Sequence, residues 1–212
     1  MMRKYLLTIL SLLTALTLYA QGNAEKLLQK TVAKLEKDGG ISMKLDAQVR
    51  NEGTTDHIDM EIKLSPDGCF YAMEDDNTIW FDGKTMWRGN DFGEGIEEIY
   101  ITEPTPEEKA RYDVIGLLRK HRGFNVSGNG TDTFVLTASN SEHSIEGISK
   151  VTVTVDPGTY AVSTVLIEFD RELGNISASA KVKDYKTAQK FDKSTFTCPV
   201  KDYKDAEIVD LR

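Results

Sequence analysis

The side chains able to do acid–base, metal or nucleophilic chemistry are few and scattered. His57, His121 and His143 are the three histidines. None has a partner at metal-ligand spacing, so they read as surface or edge residues. Asp75–Asp76 and Glu97–Glu98 are adjacent acids. Neighbours in a strand point to opposite faces and neighbours in a turn diverge, so neither pair makes a general acid and base. Cys69 and Cys198, the two cysteines, lack an adjacent His or Asn in a nucleophile motif. They read either as a bridge, which needs Cα atoms within about 7 Å, or as two small buried hydrophobes. There is no nucleophile elbow, phosphate loop or dinucleotide glycine pattern. Asn125, Asn129 and Asn175 open N-x-S/T triplets, a common chance pattern in turns. These residues predict no enzyme, no metal and no cofactor.

The chemistry that the chain does concentrate is apolar. Phe70, Tyr71, Trp80, Phe81, Trp87, Phe92 and Tyr100 crowd into one third of it. Such a cluster is either ordinary sheet packing or the wall of a cavity that accepts an apolar ligand. The 212 residues carry 26 basic and 34 acidic side chains, a net charge of −8. That balance argues against nucleic acid as a partner, because phosphate neutralisation needs clustered Lys and Arg. A hydrophobic content of 40% is enough for a packed core.

The elements that must position the cluster follow from periodicity. Arg3 and Lys4 precede an apolar run over residues 5–18, shorter than the ~20 residues of a membrane span and typical of a secretory signal. Ala20 marks the expected cleavage point, giving a signal peptide over 1–20 and a single mature domain over 21–212. An uncleaved N-terminal anchor is the alternative. Residues 23–38 read as a helix with Asn23 at its N-cap, Leu27, Leu28, Thr31, Val32 and Leu35 on one face, and Gly39–Gly40 at its end. Lys26, Lys30, Lys34 and Lys37 form the opposite, solvated stripe.

From residue 41 to 101 the period becomes two. Ile58, Met60, Ile62 and Leu64 alternate with Asp59, Glu61 and Lys63, as in a half-buried strand. Ser65–Gly68 is a Pro-Gly turn and Asp82–Gly83 a hairpin signal. Thr105 and Pro106 begin a second helical stretch through Tyr112, Ile115, Leu118 and Arg119. Strand patterns resume at 123–126, 133–138, 149–156, 160–169, 175–185 and 191–198. The tail over 201–212 is polar apart from Ile208–Val209.

About eleven antiparallel strands with one apolar face must curl to bury it. The expected fold is mainly β with an α lid: an open, unclosed antiparallel β-barrel covered by two or three helices. A wide barrel under a small lid encloses a cavity rather than a filled core. The expected lipid-binding wall comprises Met60, Ile62, Leu64, Phe70, Phe81 and Trp87, with Leu28, Leu35, Ile115 and Leu118 from the lid.

Several segments resemble one family in order and spacing. Asp82-Gly83-Lys84-Thr85-Met86-Trp87 is similar to the hairpin of the periplasmic lipoprotein carrier LolA. The Pro66 turn before Phe70 resembles that family's preceding strand pair. Asp132-Thr133-Phe134-Val135-Leu136-Thr137 resembles a later strand, and Thr195-Phe196-Thr197-Cys198-Pro199 its close. The resemblance implies a monomeric periplasmic carrier that shields the acyl chains of lipoproteins. Its partners would be acylated lipoproteins, an inner-membrane lipoprotein-releasing ABC transporter and an outer-membrane acceptor. Ser65 stands where the family's best-known members carry Arg before the proline. Three other readings compete: a lipid-binding or lipid-sensing regulatory envelope module, an enzyme acting on envelope lipids or glycans, and a structural domain with a filled core.

Overall fold

The computed structural model describes residues 22–74, 76–105, 124–138, 148–169 and 174–212. They form one 12-stranded sheet and one helix, α1, over residues 22–38. A first meander contains β1 (Ile41–Asn51), β2 (Thr54–Leu64), β3 (Phe70–Glu74), β4 (Asn77–Phe81), β5 (Met86–Asp91) and β6 (Ile96–Thr102). A second contains β7 (Phe124–Gly128), β8 (Thr133–Ala138), β9 (Ile148–Val155), β10 (Val162–Phe169) and β11 (Ser177–Lys186). The strand β12 (Glu207–Asp210) completes the sheet. The spatial order is β12-β6-β5-β4-β3-β2-β1-β11-β10-β9-β8-β7. The meanders therefore join where β1 pairs antiparallel with β11. Strands β12 and β7 stand at opposite edges and do not meet, so the barrel is open.

This is the expected architecture with two local differences. Residues 191–198 do not extend as a strand; they fold around a 3-10 turn at Lys193–Phe196. The turn brings the rings of Phe191 and Phe196 to 5.5 Å, whereas residues five apart in a strand face opposite ways. The polar tail supplies β12, which pairs parallel with β6 from Glu207–Glu98 to Asp210–Ile101. The expected second helical stretch, with Ile115 and Leu118, and the expected signal segment lie outside the described residues.

Helix α1 follows its apolar spacing. Ala24, Leu27, Leu28, Thr31, Val32 and Leu35 are all buried, at the i, i+3, i+4, i+7 positions that make one face. They pack on Phe124, Val126, Phe134, Leu136, Val151, Val153 and Val155. The Thr31 hydroxyl donates to the Leu27 carbonyl at 3.0 Å, which satisfies a fully buried polar group. Asn23 lies inside the helix, not at its cap, and packs against the β7–β8 turn. Two of the four stripe lysines are not simply solvated. Lys30 donates to the Tyr160 hydroxyl at 3.0 Å, and Lys34 lies over the Tyr185 ring at 5.5 Å.

Both ends of α1 are tied down. At the C-terminus Gly39 takes φ 69° and ends the helix. The Asp38 carboxylate accepts from Lys34 and, at 2.7 Å, from the Tyr185 hydroxyl. Burial, reinforced by that carboxylate, holds the Tyr185 hydroxyl far above its ordinary range. The Ala188 and Gln189 amides donate to the carbonyls of Asp38 (2.7 Å) and Gly40 (2.9 Å). At the N-terminus the β7–β8 turn is organised by Asn129, whose side-chain oxygen accepts from the amides of Thr131, Asp132 and Thr133. The next residue, Gly130, has φ 69°, and a Cβ there would lie 2.4 Å from the Asn23 Cβ.

Gly130→Ala is therefore expected to lose about 2 kcal/mol or more of stability, from backbone strain and collision together. Gly53 also has positive φ (93°) but open space around it, so Gly53→Ala should lose only the strain, about 1 kcal/mol. Urea unfolding of the two variants measures the difference.

Candidate lipid-binding face

The strand register assigns every side chain to one of two faces. The face that receives α1 is called inner. Successive register partners form rows across it. The first row runs Ile41, Leu64, Phe70, Phe81, Met86, Thr102. The second runs Met43, Ile62, Ala72, Ile79, Arg88, Tyr100. A third starts with Leu45 and Met60 and, past the end of the β2–β3 ladder, continues through Glu74, Asn77, Asn90 and Glu98. In the other direction the inner face crosses the β1–β11 junction through Ala47, Ala180, Val165 and Val153. A neighbouring row carries Val49, Ala178, Ile167, Val151 and Leu136.

Burial is uneven along these rows. The β7–β9 end is sealed under α1, and Phe70, Phe81 and Met86 seal a second cluster. Between them, Leu45, Val49, Ile58, Met60, Ile62, Ile79, Val165, Ile167 and Val182 remain only partly covered. At the centre of this band stand Ala47, Ala178 and Ala180, where β1 meets β11. Ala47 is buried and Ala178 and Ala180 are partly buried, so the three smallest side chains of these rows lie side by side at the junction.

The expected wall residues divide accordingly. Met60, Ile62, Leu64, Phe70 and Phe81 share the inner face, with the first three half-buried and the two rings packed 5.4 Å apart. Leu28 and Leu35 are 2% and 7% exposed in the α1 core, where they anchor the helix against the sheet. Trp87 does not join the wall. It pairs with Trp80 and Ile101 on the outer face, because its neighbour Met86 takes the inward position. Ile79, Val165 and Ile167 belong to the band but carry only generic strand signals in sequence.

The outer face explains the rest of the aromatic cluster. Trp80, Trp87, Ile99, Ile101 and Cys198 form a buried group capped by Tyr71, Ile96, Val200, Tyr203 and Ala206. The segment after β11 thus covers the back of β4–β6. The Trp80 ring lies 6.0 Å from Tyr71 and 6.3 Å from Tyr203. A groove of about 700 Å³ opens beside this layer, bordered by Lys44, Glu61, Met73, Thr78, Lys183 and Tyr203. Its lining mixes these charges with Leu45, Met60, Trp80 and Ile96. Both cysteines are free thiols, Cys69 half-buried and Cys198 buried. Cys198 is thus one of the two small hydrophobes of the second reading, and burial pushes its thiol from 9.0 up to about 12. Among the described residues no helix is long and apolar enough to cross a membrane.

An open antiparallel barrel with a helix on its inner face and a partly covered apolar band defines the class of fold. The chain belongs to the LolA-like family: the model of the outer membrane lipoprotein carrier protein LolA matches residues 14–170. Solved structures of similar fold include an uncharacterized conserved protein from Thermus thermophilus, at 14% identity and TM-score 0.54, covering 86% of this chain and 98% of that one. A LolA superfamily protein from Nitrosomonas europaea aligns at 9% identity and TM-score 0.45, covering 84% and 98%. The lipoprotein LppX from Mycobacterium tuberculosis aligns at 15% identity and TM-score 0.44, covering 79% and 98%. No curated protein matches the sequence.

The outer layer yields a test through its thiol. The raised native value means that this group favours the folded state below pH 9.0 and ceases to do so as pH rises toward about 12. In the native protein, iodoacetamide labelling followed by peptide mass spectrometry at about pH 8 should modify Cys69 well before Cys198. In urea the two should label at similar rates.

Proposed function

We propose that this chain is an exported periplasmic carrier that shields lipoprotein acyl chains against the inner face and moves them from the inner to the outer membrane. The observation that carries the reading is the half-buried apolar band around Ile62, Met60 and Val165, with alanines at its centre. It is a run of incompletely covered hydrocarbon on the helix side of the described sheet. The family match over residues 14–170 supports the same reading, as does the basic and apolar N-terminal run, with cleavage near Ala20. The proposed cargo is an acylated lipoprotein. The proposed donor is an inner-membrane lipoprotein-releasing ABC transporter and the receiver an outer-membrane acceptor.

The energetics favour incomplete cover. Burying hydrocarbon yields about 0.8 kcal/mol per CH₂. Two long chains, fully buried, would exceed the ~20 kcal/mol ceiling of non-covalent binding and would not leave. A band that remains half wet, beside a helix held at its ends by a few hydrogen bonds, binds less tightly and releases its load. In this scheme Met60, Ile62 and Leu64 touch the chains, Phe70 and Phe81 support them, and Leu28 and Leu35 keep α1 seated.

Ile62→Glu places a carboxylate in the band and is expected to weaken binding of a fluorescent fatty-acid probe about tenfold or more. Glu61→Gln, one residue away on the outer face, should leave the titration unchanged. Equal affinity of wild type and Ile62→Glu would refute the proposed binding face. Carriage itself is tested by native mass spectrometry of the protein isolated from the envelope, where acylated polypeptides should co-purify.

A further inference from the structure

The inner face is not apolar throughout. Towards the β3–β4 and β5–β6 turns its rows change character within a single ladder. Ile62, Ala72 and Ile79 lead directly to Arg88 and Tyr100. The adjacent row carries Asn77, Asn90 and Glu98. The Arg88 side chain is exposed, and it makes no ion pair among the described residues. Lysines elsewhere in the sheet do pair, as Lys183 does with Asp46 at 2.8 Å and Lys150 with Glu168 at 2.6 Å. Glu98 is held in place, since one of its oxygens accepts from Asn90 at 3.3 Å and from the Tyr100 hydroxyl at 3.1 Å. A cation and an oriented anion therefore stand at the end of an apolar track, on neighbouring rows about 7 Å apart.

We propose that Arg88, Asn90, Glu98 and Tyr100 form a head-group site for a zwitterionic amphiphile, a lipid bearing phosphoethanolamine, whose acyl chains lie along the Ile62–Ile79 row. The assignment rests on the acyl-binding band above and gives that band a second occupant, a free phospholipid, alongside the acylated lipoprotein. The phosphate accepts charge-assisted hydrogen bonds from the Arg88 guanidinium and from the Asn90 amide. The ammonium donates to Glu98. Glu74 lies on the same row as Glu98 and adds a second carboxylate at this end. A purely anionic head would meet both carboxylates, and an uncharged one would leave the guanidinium unmatched.

Competition separates this site from the acyl band. The exported chain is loaded with a fluorescent fatty-acid probe and titrated with dihexanoyl phosphatidylethanolamine or dihexanoyl phosphatidylglycerol, which share their acyl chains. The ethanolamine lipid should displace the probe at about fivefold lower concentration, the scale of one charge-assisted contact at a wet site. Arg88→Gln and Glu98→Gln should each abolish that preference, and Lys201→Gln, on the far side of the sheet, should retain it. Equal displacement by the two lipids in wild type, or a preference that survives both substitutions, overturns the head-group site and leaves the acyl band standing. Failure of the probe to bind wild type overturns both.

Discussion

The ladder between β1 and β11 is the contact on which the rest of the structure depends. It joins the first strand of one meander to the last strand of the other, from Ser42–Lys186 to Arg50–Ser177. Because the join is central, β7 and β12 are left as far apart as the sheet allows. A closed barrel of twelve strands would have no edges and would wall its inward side chains off from solvent. An open one must find other cover for them, and α1 supplies only part of it, over β7–β9. The partly wet hydrocarbon around Met60, Ile62 and Val165 follows from that geometry.

The sheet has two faces and the chain covers them by different means. The inner face receives a helix fixed at its ends, through Asp38 and Tyr185 at one and Gly130 at the other. The outer face of β4–β6 receives the segment after β11, which seals Trp80, Trp87, Ile99 and Ile101. Gly89 is part of that seal: a Cβ there would come within 2.8 Å of Ile96 and 3.3 Å of Trp80. Stability is thus concentrated on the back of the first meander and under α1. The middle of the inner face is spared from serving as core. The proposed carriage needs this division, since a surface that must accept and release hydrocarbon cannot also be the surface that holds the fold together.

Under the head-group proposal, an amphiphilic ligand gives the polar end of the inner face a purpose that hydrocarbon alone does not. Rows that begin with Ile62 or Met60 end in Arg88, Tyr100, Asn90 and Glu98, so a ligand lying along them passes from grease to charge. Orientation then comes from the head and most of the affinity from the tail. Weak, exposed polar contacts suit this division, because they select among lipids without adding much to the energy that release must overcome.

Much of the architecture was legible in sequence. The helix ending at Asp38, the alternation through β2 and the turns at Ser65–Gly68 and Asp82–Gly83 follow from local periodicity and backbone chemistry, and so many half-buried strands call for a curled sheet. The segment at 191–198 misled because its apolar residues serve a turn packed on the sheet, and strand propensity cannot distinguish that from a ladder. The tail hid β12 because four residues of parallel edge strand carry almost no pattern. For the site, Met60, Ile62, Leu64, Phe70 and Phe81 emerged together on one face, yet Trp87 went to the other. The cause is the symmetry of a period of two, which separates the sides of a strand without saying which is which. Only the pairing of Phe81 with Met86, together with the seating of α1 and the post-β11 segment on opposite faces, decided which side carries the partly covered band. Sequence determined that there would be two faces; long-range pairing determined which one would be left open.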